Sequence, residues 1–574
     1  MHVSKKTIIG IVAPVLSRVY VQDILRGAIS QLRHCGCDAL IIAPLIQFEN
    51  NVQAHAKAER EIFRMIGAKD IDAFLYLKDD TTMGAAVISD IEHRLLETQK
   101  YVMTVDESTH TVFDSTQYDD YDEFGKVVEH LIEVHGYRRI YCLTGWKDSF
   151  QAQTRLRAWK DRMTQHGLYF DDTYFEYGTF WYDSVTPYAE KLLSGELQMP
   201  EAIVCGNDVM AVALIKTLIS RGVRVPDDVA VTGYDGYPFT ANVDVTLTTY
   251  VRNNFQLGAD AVRRLHRNLT GLLCSSVESQ KSGFLIGSSC GCTNIPTKQL
   301  SVDPCVTIPR MWSEYTFGIN MAPALEQAKN VSDFLACALY HSKEIYHMQR
   351  VGIYLRGHSG EYVFAATCNA DGTPQIHRCD MSLDSASAFL SGKDDPEIVF
   401  VSPLHLNEKQ FGVISVSFGE NYRVYDAGWL NYVTVLTQAL DRLYSECSDE
   451  LNSTSETEQG HRRSALNEKL IMLRKKLRET SAEQWTVDAL CKESGLSKST
   501  LQKHYKQLFG KSMFEDLIDF RVEEAKRLLS ETDHPLSEIT VMCGYSTESY
   551  FMKQFKRITH QTPSEYRRLH RTKK

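Results

Sequence analysis

The chain has 574 residues, long enough for three or four domains each with its own core, and its 43% hydrophobic and 24% charged residues describe an ordinary globular protein. The net charge of −10 conceals a split: from His461 onward there are 23 Lys and Arg against 15 Asp and Glu, and the remainder has 40 against 58. A basic tail on an acidic body fits a polyanion partner for the tail alone, and no run of 18 apolar residues is present to span a membrane.

The 14 cysteines are scattered without a disulfide-type framework, which favours a reducing, cytoplasmic compartment. Cys35-Gly36-Cys37 and Cys290-Gly291-Cys292 are the close pairs. Two ligands each, with no His or Cys partner nearby, fall short of a tetrahedral set, so neither a metal nor a cofactor is expected. At the start, Lys5-Lys6 and Ile8–Ala13 superficially resemble a secretory signal, but Pro14 interrupts the run and no small-residue cleavage site follows. The segment reads as a buried first strand.

Through the first three hundred residues short apolar runs recur, at Ile8–Ala13, Ala39–Ala43, Ala73–Leu77, Tyr101–Val105, Arg139–Leu143, Ala202–Cys205 and Val229–Thr232. Helical stretches such as Val21–Leu32, Glu123–His135, Gln153–His166 and Val209–Arg221 alternate with them. This alternation predicts parallel sheets covered on both faces, in two lobes with a ligand between them. Polar residues at the carboxyl ends of the strands then matter most: Asp106, Gly145, Asn207-Asp208 and Asp235.

Cys205-Gly206-Asn207-Asp208-Val209-Met210-Ala211, Arg221–Val229, Val231–Gly236 and His135-Gly136-Tyr137-Arg138-Arg139-Ile140 resemble the sensor domain of LacI/GalR-type repressors. The resemblance covers roughly residues 5–292 and implies a two-lobed, periplasmic-binding-protein-like α/β fold that closes on a small molecule. By motif it places Arg155, Asn207 and Asp235 against the ligand. A guanidinium, an amide and a carboxylate suit the vicinal hydroxyls of a sugar, and Phe180 or Trp181 would cover its apolar face. Each residue also has a plainer reading. Asn207 and Asp208 can cap the following helix, Asp235 can serve a turn, and Arg155 can form a surface ion pair. Such repressors carry a DNA-binding headpiece before this domain, whereas this sequence starts at the first strand, so DNA binding is expected elsewhere.

Residues 296–448 open with a helical stretch, about Phe317 to Gln349. Strand-like runs follow at Val351–Leu355, Tyr362–Ala366, Ile398–Val401 and Gly412–Phe418, then a helix from about Trp429 to Tyr444. The element order resembles a GAF-like or PAS-like α+β module, for ligand binding, dimerisation or simple spacing. Residues 449–465 are polar and read as a linker.

Gly287-Ser288-Ser289-Cys290-Gly291 matches the GxSxG nucleophile pattern, but the residues after it do not start a helix. With no P-loop, GxGxxG or HExxH motif either, no enzymatic activity is expected.

In the last segment, 466–574, one pattern occurs twice. Gly495 and Gly544 each follow a short helical stretch (Thr486 to Ser494; Leu536 to Cys543), and Ser497 and Ser546 stand where the next helix would be capped. Leu501, Tyr505 and Leu508 then match Phe551, Phe555 and Ile558 at i, i+4, i+7. Each copy is a helix-turn-helix plan, and a helix from Met513 to Leu529 joins them. Burying those apolar faces turns Ser499, Gln502, Lys503 and Lys506 outward in the first copy, and Glu548, Ser549, Lys553 and Lys556 in the second. These are side chains that read base edges and phosphates.

Ile539, Cys543-Gly544-Tyr545, Tyr550-Phe551, Phe555-Lys556-Arg557, Gln561-Thr562-Pro563 and Tyr566-Arg567, with Arg521 and Ala525-xx-Leu528-Leu529, closely resemble the DNA-binding domain of AraC-type regulators. The resemblance implies two recognition helices in successive major grooves of double-stranded DNA. Ser499, Gln502 and Lys503 would read the first groove and Glu548, Ser549 and Lys553 the second, with Lys506 and Lys556 nearer phosphate. His560 stands where the family usually has glycine, and Glu548 puts a carboxylate at a contact position. The expectation is a sugar-responsive, homodimeric transcription regulator in three parts: sensor (1–295), α+β module (296–448) and all-α double helix-turn-helix. The competing expectation is a small-molecule binding protein with a merely structural tail.

Overall fold

A computed structural model describes the protein over residues 6–570, apart from short internal stretches that include 46–52, 106–111, 238–244, 294–316, 420–426 and 452–465. Asp106, His560 and nearly all of the 449–465 linker lie outside the described residues. The chain divides into two compact units: Met1–Pro309 with Leu383–Ser402 and Glu420–Tyr425, and Arg310–Ser382 with Pro403–Gly419 and Asp426–Lys574.

In the first unit, β1 (Ile8–Val12), β2 (Asp38–Ile42), β3 (Ala73–Tyr76), β4 (Tyr101–Val105) and β5 (Asp114–Thr116) form a parallel sheet ordered β2-β1-β3-β4-β5. Ile-Ile-Gly-Ile-Val of β1 is buried throughout, as a strand covered on both faces requires. Helices α1 (Val19–His34), α2 (Gln53–Arg60) and α3 (Ala85–Glu97) connect these strands.

After α4 (Asp120–Glu129) comes a second parallel sheet ordered β7-β6-β8-β9. It is built from β6 (Ile140–Thr144), α5 (Phe150–Gln165), β7 (Phe175–Tyr177), α6 (Val185–Ser194), β8 (Ala202–Cys205), α7 (Asp208–Ser220) and β9 (Ala230–Thr232). Both sheets reverse strand order beside their first strand, so each has a switch point at its carboxyl end. Strand β10 (Thr249–Val251) leads into α8 (Asn254–Thr270) and later pairs antiparallel with β11 (Gly283–Leu285). Helix α8 crosses α1 backbone to backbone: a Cβ on Gly27 would lie 1.8 Å from the Phe255 carbonyl oxygen, and one on Gly258 1.9 Å from that of Ile24. Only glycine permits this approach.

The second unit holds α9 (Ala322–Glu326) and α10 (Val331–His341), then the antiparallel strands β12 (Met348–Arg356), β13 (Tyr362–Asn369) and β14 (Pro374–Met381). The continuous helix expected over Phe317–Gln349 is broken, because the Asn330 side chain accepts from the Asp333 amide at 2.8 Å and starts a new helix there. The strand β14 was not expected from its polar sequence. Strand β15 (Ile398–Leu406) starts in the first unit, where Ile398–Val401 pairs in parallel with Ala39–Ile42. There the Asp70 carboxylate also accepts from Ser385, Ala386 and Ser387. Residues 383–402, expected within the 296–448 module, therefore fold with the first unit. Strand β16 (Lys409–Phe418) pairs with β12, and α11 (Ala427–Glu446) follows.

The unit ends in six helices: α12 (Val487–Ser494), α13 (Lys498–Phe509), α14 (Met513–Glu531), α15 (Leu536–Met542), α16 (Glu548–Thr559) and α17 (Pro563–His570). Gly495 (φ 66°) and Gly544 (φ 76°) supply the left-handed turns of the two helix-turn-helix copies. Ser497 caps α13 through the Thr500 amide at 3.3 Å, but α16 is capped by Thr547 rather than Ser546, since the second copy carries one extra residue in its turn. Leu501 and Tyr505 enter one core with Leu470, Leu473, Leu477 and Leu490; Phe551 and Phe555 enter another with Val522, Leu528 and Ile539. Helix α14, started by a Ser512–Glu515 capping box, contributes to both.

A buried ion pair sits in the first of these cores. Arg474 holds both oxygens of the fully buried Asp516, at 2.5 and 2.7 Å, and the Tyr505 hydroxyl donates to the same carboxylate at 2.8 Å. Removing one partner leaves the other charge unpaired in an apolar setting. Asp516→Ala should cost about 3–5 kcal/mol of stability in urea unfolding followed by circular dichroism, with a smaller loss for Asp516→Asn.

Candidate ligand site and nucleic-acid interface

The residues expected to face a ligand converge at the switch point between β6 and β8. Arg155, on α5, is almost wholly buried. Its Nη1 donates to the Gly206 carbonyl at 2.6 Å, and Nε and Nη2 donate to Asp120 Oδ2 at 3.2 and 2.9 Å. Nη2 lies 3.8 Å from Asp235 Oδ1. The guanidinium stacks over Tyr234 at 4.6 Å and Phe180 at 5.5 Å. Arg155 is therefore ion-paired in the interior rather than on the surface.

Asn207 caps α7, its oxygen accepting from the Met210 amide at 2.9 Å, while its nitrogen donates to the Phe180 carbonyl at 2.9 Å. The capping reading is thus realised, and the same amide also holds Phe180. Phe180 adopts φ 62°, and its ring lies so close over Gly145 that a Cβ there would sit 2.1 Å away. Trp181 stands half-buried at the start of the short turn Tyr182–Ser184.

Sequence reasoning missed Asp120 and Arg252, and named Asp208 only as a neighbour of Asn207. Arg252 Nε lies 3.1 Å from Asp120 Oδ1, which also accepts from the Tyr234 hydroxyl at 3.0 Å. Burial alone would raise the Asp120 carboxyl, but the Arg155 and Arg252 charges outweigh it and hold it below its usual range. The Asp208 carboxyl is pushed the other way, to about 7, first by complete burial and then by the charge of Asp235. It faces no guanidinium at hydrogen-bond distance among the described contacts; Thr249 Oγ1 at 2.6 Å and the amides of Gly236 and Tyr237 at 2.8 and 2.7 Å satisfy it.

The suspected nucleophile is held structurally. Ser289 is buried and donates to the Val231 carbonyl at 2.6 Å. The cysteines beside it, by contrast, do have partners: the fold brings His130 and His135 to Cys290 and Cys292, correcting the expectation of none nearby.

In the helix-turn-helix region Ser499, Gln502, Lys503, Lys506, Glu548, Ser549, Lys553 and Lys556 are all exposed, as the periodicity required. Gln502, Lys503 and Lys506 also line a cavity of about 740 Å³ with Glu326 of α9 and Arg442 and Glu446 of α11. The outward face of α13 thus looks onto the α+β module. Helix α10 packs beside it: Arg474 stacks on Tyr340 at 4.3 Å and Phe509 at 4.8 Å.

Comparison with known proteins matches two stretches of the chain. Residues 128–275 match a periplasmic binding protein-like domain and residues 490–569 a helix-turn-helix domain. The chain thus joins a LacI-like sensor domain to an AraC-type helix-turn-helix domain. Similar proteins include the transcriptional repressor PurR of Photobacterium profundum (28% identity over 221 residues, 38% of this chain and 63% of that protein). Others are the regulator CelR of Thermobifida fusca (30%; 28% and 47%) and catabolite control protein A of Priestia megaterium (27%; 46% and 74%). The chain spans less than two thirds of the length of the first of these relatives. The crystal structure of CcpA from Lactococcus lactis is similar over 50% of this chain and 99% of its own, at 19% identity and TM-score 0.41. Among the described residues no helix is long and apolar enough to cross a membrane.

The Asp208 environment sets a pH dependence. Its folded value of about 7 exceeds the ordinary 3.8, so its contribution favours folding while it is protonated and is lost as pH rises through about 7. The thermal midpoint of the first unit should fall as pH rises across that window, and Asp208→Asn should flatten the slope in calorimetry.

Proposed function

We propose that this chain is a cytoplasmic, sequence-specific DNA-binding transcription regulator whose output depends on a small polyhydroxylated molecule, a sugar, held at the β6–β8 switch point. What carries the DNA-binding reading is the pair of helix-turn-helix copies with every expected reading side chain exposed. Gln502 supplies the amide that pairs with adenine, and Lys503 and Lys553 suit guanine or phosphate. Relatives of the sensor region that are themselves transcription regulators support the same reading. For the ligand, the support is chemical: Arg155, Asn207, Asp235 and the Phe180 ring gather donors, acceptors and an apolar face in one place.

A recognition helix seated in a major groove about 12 Å wide is flanked by phosphate walls. The cavity that Gln502, Lys503 and Lys506 share with Glu326 and Glu446 is too small for a duplex, so α13 must leave the α+β module, here read as a GAF-like spacer joining two protomers, to bind. Ligand then acts by favouring one arrangement over the other, which demands unequal affinity for the two.

Gel shifts with the full chain on DNA from its own gene neighbourhood test this. Lys503→Ala and Lys553→Ala should each weaken binding by about 1–3 kcal/mol if the contact is to a base, and binding should fall steeply with salt. Indifference to both substitutions and to salt would sink the assignment. In the same assay a panel of sugars should contain one that shifts DNA affinity. An affinity and footprint unchanged across the whole panel would remove the ligand switch.

A further inference from the structure

His130, His135, Cys290 and Cys292 aim four metal-ligating atoms at one point, all within 4.8 Å of one another. The nitrogens His130 Nε2 and His135 Nε2 are 3.3 Å apart. Cys290 Sγ lies 3.5 Å from His130 Nε2, and Cys292 Sγ lies 3.7 Å from His130 Nε2 and 3.3 Å from His135 Nε2. A tetrahedron with zinc–sulfur bonds of ~2.3 Å and zinc–nitrogen bonds of ~2.05 Å has N···N edges of ~3.3 Å and S···N edges of ~3.6 Å. The observed edges fall within about 0.3 Å of those values.

Two local devices make the convergence. His130 and His135 are five residues apart, which on an α-helix of 3.6 residues per turn would send them to different sides. Residues His130–Val134 instead form a wider π-turn at the end of α4, the kind of irregularity that recurs at functional positions. Between the cysteines, Gly291 takes φ 98°, a conformation that suits glycine and folds both thiols to one side. The surroundings are those of a held ligand set. Thr248 Oγ1 donates to Cys290 Sγ at 3.0 Å, and the His135 ring stacks on Tyr137 at 5.4 Å. The Tyr137 hydroxyl donates to the Cys290 carbonyl at 3.1 Å, and Phe284 packs on His130 at 5.1 Å.

From this geometry we infer that the sensor domain binds one zinc ion, or a chemically similar divalent transition metal, through His130, His135, Cys290 and Cys292. Four protein ligands close the coordination sphere, which makes the site structural rather than catalytic. It pins the 287–292 segment, at the end of the domain, to the α4 π-turn 160 residues earlier in the chain. Binding releases the thiol protons as the thiolates form. Cys290 is fully buried, whereas the other three ligands are partly exposed and give the ion an entry path.

The experiment uses the full chain, saturated with zinc, desalted and assayed by inductively coupled plasma mass spectrometry, with cobalt(II) substitution alongside. One zinc per chain is expected, together with the intense visible bands of tetrahedral cobalt and a thiolate charge-transfer band. Cys292→Ser combined with His135→Ala should abolish both signals. Cys35→Ser combined with Cys274→Ser, in the three-residue cluster with His266, should leave them unchanged. A desalted wild-type chain without stoichiometric zinc, or cobalt without tetrahedral thiolate bands, would overturn the site whether or not any variant folds. Equal metal retention by the Cys292/His135 double variant would overturn it as well.

Discussion

The sensor domain is organised around one buried guanidinium. Arg155 could not remain almost wholly buried without partners, because an isolated charge in a protein interior costs several kcal/mol. Its partners come from distant stretches: Asp120 opens α4, Gly206 follows β8, Asp235 follows β9, and Arg252 joins through Asp120. The need to satisfy that charge therefore fixes where α4, α5 and the β8–α7 junction stand relative to one another. Phe180, stacked on the same guanidinium and tied by Asn207, can fit only because Gly145 and Gly206 lack side chains beneath it.

The same logic governs the helix-turn-helix end at smaller scale. Arg474, Asp516 and Tyr505 tie the opening helix of the domain to α13 and α14, and Arg521 of α14 donates to the carbonyls of Ser481 and Glu483 at 2.8 Å each. Helix α14 thereby holds the two helix-turn-helix copies at a set separation. Their surroundings differ. The first copy borders a cavity lined by both acidic and basic side chains of the α+β module, Glu326 and Glu446 with Lys329 and Arg442, and the second turns the carboxylate of Glu548 outward.

Much of this is legible in the sequence alone. Strands buried on both faces announce themselves as unbroken apolar runs, and the i, i+4, i+7 triplets indicate which helix residues face outward because helical period is a local property. The α+β module was harder. Asn330 breaks what reads as one long helix, β14 is too polar to stand out, and residues 383–402 leave their sequence neighbours to pair with β2. Arg155, Asn207 and Asp235 stand out through motif resemblance, but their partners Asp120 and Arg252 carry no local signal.

By itself the sequence determined the two sheets, the duplicated turn at Gly495 and Gly544, and which faces of α13 and α16 look outward, since each depends on residues within a few positions of one another. Only the tertiary structure decided which charges meet. Asp120 and Arg155 are 35 residues apart, and His130 and Cys290 160 apart. No period or spacing encodes such encounters; they follow from how parallel strands are ordered in their sheet. A Cys-Gly-Cys pair that looks short of ligands in the chain is completed by a π-turn that only the folded backbone reveals.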